Sequence, residues 1–295
     1  MSQASMPRTP AASSSEGRYG HLFRPGYVHR DLYASPELFA AEMRHLFGNT
    51  WVYVGHESEV PQPNDFVMRT MGRRPVILCR KEDGGFSVLL NRCTHRGALV
   101  CRTPRGNARH FTCGYHAWTF LNDGRCTGVP LKHAYGGNYN RADQNLRSIA
   151  VDAYRGFIFA SVSPHVPPLV EHLAGAREFL DQWLDRDGAR PVLVQNGDMQ
   201  FQTHANWKTV YDNAGDGYHP PFSHTSMLRV FADRYGDVDM QYYAKNFDES
   251  PILSKDLGRG HTTLDQRPAM HAESAWRRQH VSPGREALEA ALTER

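Results

Sequence analysis

The chain has 295 residues, 40% of them hydrophobic and 22% charged, and its 34 basic and 31 acidic side chains leave a formal net charge of +3. So even a balance gives no argument for nucleic acid or an anionic membrane as a partner, and no apolar run is long enough to span a bilayer. The length allows one large or two modest domains.

The first residues, MSQASMPRTPAASSSEG, contain no apolar core segment and so do not form a secretory signal. Small and polar, the terminus over 1–26 is expected to be disordered. Residues 27–47 form an N-terminal helical region. Within it, Ser35 is a candidate cap, Pro36 suits the first helical position, and Phe39, Met43, Leu46 and Phe47 make an apolar stripe that Gly48-Asn49 ends.

From Trp51 the period changes to that of strands. Candidates are Trp51–Val54, Asp65–Thr70, Pro75–Arg80 and Phe86–Leu90, with Asp83-Gly84-Gly85 as the turn between the last two. His110–Cys113 and Ala117–Leu121 follow, then Asn122-Asp123-Gly124 as another hairpin signal, and Ile149–Val162 as a strand pair folded at Arg155-Gly156. Short strands and tight turns predict a small antiparallel β domain over 48–165.

Two segments of that domain carry chemistry. Cys-Thr-His-Arg-Gly runs from Cys93 to Gly97, and Cys-Gly-Tyr-His-Ala-Trp from Cys113 to Trp118, with seventeen residues between His95 and Cys113. Each segment offers one thiolate and one imidazole: Cys93 and His95, then Cys113 and His116. This pattern fits a [2Fe–2S] centre of the Rieske type, in which two thiolates hold one iron and two imidazoles the other. A closed zinc site is the alternative, but zinc patterns group like ligands, Cys with Cys and His with His. Gly97 and Gly114 let backbone N–H groups approach the sulfurs, and Tyr115 and Trp118 can shield the centre. The remaining cysteines, Cys79, Cys101 and Cys126, have no framework spacing, which fits a reducing cytoplasm. Of the sixteen histidines, His29, His45, His133, His165, His172 and His280 read as surface or capping residues.

Pro164, Pro167 and Pro168 mark a boundary. Beyond them Leu169–Arg186 reads as one amphipathic helix stopped by Gly188, opening a second domain over 168–295. Residues 206–224 then crowd Asp212, Asn213, Asp216, His219 and His224 into one stretch. Pro220-Pro221 prevents a regular helix between the two histidines, so they converge only if the chain turns there. Two imidazoles and a carboxylate make the facial triad of a non-haem iron(II) site. Taken alone this signal is weak, because two histidines near carboxylates more often make a surface or hydrogen-bonded cluster.

Together these stretches resemble the large (α) subunit of Rieske non-haem iron aromatic-ring-hydroxylating oxygenases, of the benzoate, toluate, anthranilate and salicylate type. The respiratory Rieske proteins, with a disulfide between the loops, are a poorer match because Ala98 and Tyr115 occupy those positions. The family's acid-Asn, Asp, Tyr-His, His pattern is met by Asp212-Asn213, Asp216, Tyr218-His219 and His224. Departures are Ala117, where Gly is usual, and Asp212, where Glu is more common. The resemblance implies an α+β chain: an N-terminal antiparallel β Rieske domain, then part of a helix-grip, START-like catalytic domain. It implies that His219 and His224 ligate mononuclear Fe(II), that Asn213 lies near it, and that Asp216 bridges His219 and the His116 of a neighbouring subunit. Trp207 and Tyr218 are expected to pack.

No acid after His224 lies in a context resembling the family's third iron ligand. With the open end of a helix begun at Ser282-Pro283, this leads to the expectation of an incomplete large subunit. The implied activity is hydroxylation of an aromatic, carboxylated substrate with O2, with electrons from NAD(P)H through a reductase, a ferredoxin or both. The implied assembly is a homotrimer or α3β3 with a small β subunit, in the cytoplasm. The alternatives are a Rieske electron-transfer protein without a working mononuclear site and a zinc-stabilised interaction module.

Overall fold

The computed structural model describes residues 17–136, 139–185, 192–194, 201–217, 219–226, 229–230, 253–265 and 287. Tyr218, His280, Gly188, nearly all of the helix expected from Ser282, and most acids considered as a third ligand lie outside the described residues.

Order begins before residue 27. A 3-10 turn at Gly20–Leu22 leads into a two-strand hairpin, β1 (Phe23–Arg24) and β2 (Tyr27–Val28), turned at Gly26 with φ +74°. Two short helices follow, α1 (Asp31–Ala34) and α2 (Pro36–Ala41). As expected, Ser35 Oγ accepts from Leu38 N at 3.2 Å and Pro36 opens α2. The α geometry does not continue to Phe47, however. From Glu42 to Leu46 the chain widens into a single π-helical turn. A Cβ on Gly48 would collide with the Arg44 carbonyl, so the turn after it requires glycine.

The β domain is built on a seven-stranded antiparallel sheet. Its strands are β3 (Val52–His56), β4 (Asp65–Met71), β5 (Arg74–Arg80), β6 (Phe86–Leu90) and β7 (Arg105–Asn107), joined by β11 (Ser148–Tyr154) and β12 (Phe157–Ser161). They lie in the order β3-β12-β11-β6-β5-β4-β7. A three-stranded sheet, β10-β9-β8, packs beside it: β8 (His110–Thr112), β9 (Thr119–Leu121) and β10 (Cys126–Gly128). Sequence periodicity located the long strands to within a few residues. It missed β7 and β10, which are three residues each, mostly polar, and paired only because a neighbour presents an edge.

The central strands are buried on both faces, and strict alternation separates two cores. Val67, Val76, Leu78 and Val88 pack with Val54, Val60, Met71 and Ile158 on one side. Phe66, Ile77, Cys79 and Leu89 point to the other, where they meet Phe111, Trp118, Phe120, Cys93 and Cys113. The second core is the floor under the candidate cluster ligands. The β11–β12 hairpin turns at Arg155-Gly156, both at positive φ (+50° and +89°), as a two-residue loop requires.

The expected single helix over 169–186 is two helices, α3 (Leu169–Leu173) and α4 (Ala176–Leu184). The break is at Ala174, with φ +44°, and Gly175. Gly175 N donates to Leu257 O at 3.0 Å, and a Cβ there would press on that same oxygen. A distant strand thus breaks the helix by coming too close. At the hairpin tip, Arg155 ion-pairs with Asp181 of α4 and with Asp185 just after it, at 2.9 and 2.6 Å. Further on come α5 (Trp207–Gly215), α6 (Pro220–Ser223) and the hairpin β13 (Leu253–Gly258) and β14 (His261–Asp265). Helices with antiparallel sheets make the α+β class expected from sequence.

Candidate metal centres

Two loops with the same backbone geometry present the first set of ligands. In the first, Cys93 N donates to Ala98 O at 2.8 Å and Gly97 N to Cys93 O at 2.8 Å. In the second, Cys113 N donates to Trp118 O at 2.8 Å and Ala117 N to Cys113 O at 2.9 Å. Each loop is thus a closed six-residue turn whose fifth residue lies in the left-handed region, Gly97 at φ +77° and Ala117 at φ +56°. The extra methyl of Ala117 therefore sits where an L side chain is strained, at about 1–2 kcal/mol.

Both cysteines are buried, at 3% and 2% exposure. The backbone N–H groups of His95 and Arg96, rather than those of the glycines, are aimed at the Cys93 sulfur. Burial, with the neighbouring Cys113 thiol, raises the Cys93 pKa in the absence of a cation. A bound metal ion reverses that preference. The His95 and His116 rings lie 4.5 Å apart at 73°, and Trp118 stacks on His95 at 4.8 Å and 5°. Tyr115 lies against His116 at 3.9 Å but is 54% exposed, so Trp118 is the main shield. Burial, then His116 and Arg96, lowers the His95 pKa and keeps the ring neutral, as a ligand must be.

His95 Nδ1 is buried without a hydrogen-bond partner. Such an atom costs free energy unless something coordinates it, and a metal at the mouth of the two loops satisfies it. Among the described residues no three His, Cys, Asp or Glu side chains converge on one ion. The two thiols neighbour each other and the two imidazoles face each other, a pairing that suits two irons with two donors each.

The second set lies beyond α5. Asn206 caps this helix, its side chain accepting from Lys208 N at 3.1 Å. Asp216 follows its end, and His219 begins α6, where Phe222 N and Ser223 N both donate to His219 O. One helical turn forms across Pro220-Pro221 after all, because prolines in a first turn give up no needed N–H. It brings the two imidazoles together, with His219 Nε2 3.3 Å from His224 Nε2. Asp216 Oδ2 is 3.0 Å from His219 Nδ1, on the far side of the ring. Asn213 is exposed on α5, and Asp212 accepts from Tyr33 Oη at 2.5 Å. Trp207 packs edge-to-face on Phe47 at 5.3 Å, as expected of a packing residue, but also donates to Glu42 Oε2 at 2.9 Å. Nothing in the local sequence signalled Tyr33 or Glu42.

Among the other histidines, His172 departs from the expected surface role. Its ring meets His261 at 4.9 Å, and its carbonyl lies 2.9 Å from His261 Nε2.

Paired thiolate and imidazole ligands at the tips of a β domain, with a histidine pair beyond it, place the chain in the Rieske class of redox proteins. Residues 50–150 match the Rieske [2Fe-2S] domain, and residues 187–291 match the ring hydroxylating alpha subunit catalytic domain. The chain belongs to the family of Rieske-type ring-hydroxylating oxygenase large subunits. It is 35% identical over 226 residues to the 2-halobenzoate 1,2-dioxygenase large subunit of Burkholderia cepacia, covering 73% of this chain and 48% of that one. Identity to the anthranilate 1,2-dioxygenase large subunit of Acinetobacter baylyi is 34% over 249 residues, covering 82% and 52%. The structure is also similar to naphthalene 1,2-dioxygenase from a Rhodococcus species bound to indole, with TM-score 0.65 and 40% identity over 68% of this chain and 46% of that one. The chain spans about half the length of the curated relatives it matches. In this family the Rieske domain binds a [2Fe–2S] cluster and the catalytic domain carries mononuclear iron. No helix among the described residues is long and apolar enough to cross a membrane.

Proposed function

We propose that this chain is the terminal oxygenase component of a multicomponent system that hydroxylates a carboxylated aromatic substrate. Cys93, His95, Cys113 and His116 hold the cluster, and His219 and His224 ligate iron(II). The carrying observation is the pair of matched loops with the orphaned, buried His95 Nδ1 between them. When bound, the metals supply one-electron storage at the cluster and dioxygen activation at an iron with open positions.

The protein's own residues prepare those sites. Asp216 faces His219 Nδ1 at 3.0 Å. It thereby favours the tautomer with the proton on Nδ1 and leaves Nε2 as the donor atom. The Asp216 side chain is 45% exposed, so it can also meet His116 of a neighbouring subunit and link the two centres across an interface. Asn213 stands one turn earlier on α5, beside this site. Trp118 excludes water from His95.

The division into a helical region over 27–47, a Rieske domain over 48–165 and a catalytic domain over 168–295 belongs to this reading. So do a ferredoxin or NAD(P)H reductase as electron donor, a trimeric assembly with or without a small β subunit, and a cytoplasmic location. Relatives named for 2-halobenzoate and anthranilate support a carboxylated ring as substrate.

The test is iron and acid-labile sulfide per chain after anaerobic purification. A ratio of about three irons to two sulfides is expected. About two to two supports the second reading, an electron carrier alone. Zinc without sulfide overturns both.

A further inference from the structure

We infer that Glu42 is a positioning residue for the mononuclear iron site, a role that rests on the reading of His219 and His224 as iron ligands. The helix α5 runs up to Asp216. None of its residues is buried, and Val210 and Tyr211 are 63% and 42% exposed. Individual side-chain contacts rather than a buried face therefore set its position, and towards its C-terminal end Tyr211 Oη donates to Gly260 O at 3.1 Å and Ser254 Oγ to Gly215 O. Its N-terminal end is held by polar contacts to the N-terminal region: Asn206 Nδ2 donates to Tyr33 O at 3.0 Å, and the Glu42 carboxylate takes two donors. Glu42 Oε2 accepts from Trp207 Nε1 at 2.9 Å, and Glu42 Oε1 takes Lys208 Nζ at 2.5 Å. The Glu42 and Lys208 side chains are only 13% and 16% exposed. Loss of one partner strands the other in a poorly solvated place.

Glu42 is also the residue at which α2 gives way to the π-helical turn. Such turns re-aim side chains and concentrate at functional sites. At the other end of this turn Phe47 packs edge-to-face on Trp207 at 5.3 Å. On its opposite side Phe47 meets Gly72, at the turn between β4 and β5, where an added Cβ would stand 3.2 Å from Phe47 Cβ. The π turn is thus wedged between the Rieske sheet and α5. A second peg, Tyr33 Oη to Asp212, comes from the same N-terminal region.

The consequence is geometric. With α5 located against the sheet, its C-terminal end delivers Asp216 to His219 Nδ1, and the turn beyond brings the two Nε2 atoms together. Glu42 touches neither substrate nor metal. It acts through the helix, as residues behind a metal ligand do.

The test uses the full chain with its cluster assembled, as wild type, Glu42→Ala and Glu42→Gln. Cobalt(II) is the probe of the mononuclear site, read by its visible bands, and cluster absorption per chain reports the Rieske domain separately. Glu42→Ala is expected to weaken cobalt(II) binding by on the order of tenfold or more at unchanged cluster content. Glu42→Gln keeps an oxygen for Trp207 and is expected to recover part of that loss. Wild-type binding in Glu42→Ala overturns the inference, as does a parallel loss of cluster and cobalt(II), which would mark Glu42 as merely structural. If the wild type binds no cobalt(II), the reading of His219 and His224 as ligands fails first, and the role of Glu42 falls with it.

Discussion

In the loop pair, each ligand-bearing turn is closed by backbone hydrogen bonds within six residues, on the floor of a buried core. The turn from Asp216 to His224 instead hangs from a helix with no buried residue, pegged by side chains of Glu42 and Tyr33 that lie 165 and 179 positions away in sequence. Backbone-closed turns form wherever the local sequence permits them. A side-chain-pegged helix keeps its place only while remote partners hold. The loop pair proposed to hold the cluster is therefore fixed by local causes, and the centre proposed to activate dioxygen depends on long-range contacts.

The largest expected effect tests the rigid side. Cys113→Ser should abolish the visible cluster absorption and the acid-labile sulfide, and should lower the thermal midpoint, because the thiol is both a proposed ligand and a core residue. Retention of sulfide in that variant would break the assignment. His224→Ala sharpens the contrast from the other side: about one iron per chain should be lost with sulfide unchanged. A fall in both would show that the two regions are not independent.

A smaller effect is expected from pH. Burial, then His261 and Arg259, lowers the His172 pKa from its ordinary 6.5. In the window just below 6.5 the unfolded chain then binds the proton more readily than the folded one. Stability should fall as pH drops through that window and level off below the folded value. Urea titrations across it check the slope, and His172→Gln should flatten it. The smallest effect concerns the loops themselves. Ala117→Gly should relieve left-handed strain and stabilise the chain by about 0.5–1 kcal/mol, after allowance for the flexibility glycine adds to the unfolded state. An unchanged or lower urea midpoint would show that the second loop carries no such strain.

The long strands and the two Cys-His segments were legible because each is written in contiguous residues. The alternation of Val76, Ile77, Leu78 and Cys79 already assigns faces of a sheet. The break at Ala174-Gly175 was not legible, because the apolar stripe runs on through it and the cause is Leu257, far along the chain. The same holds for β7 and β10, whose sequences carry little strand signal and which pair only against edges built by other strands.

What the sequence by itself determined is the donor set: two thiolates and two imidazoles at spacings that make matched turns, and a histidine pair with an aspartate just before it. Those follow from residue type and short spacing, which local backbone geometry translates directly into position. Only the tertiary structure decided which contacts hold these groups in place. Trp118 stacks on His95, and Glu42 at a π-helical turn grips the start of α5. Side-chain partners brought together across the fold leave no periodic trace in sequence, because the contact depends on how separate elements dock rather than on any pattern within one of them.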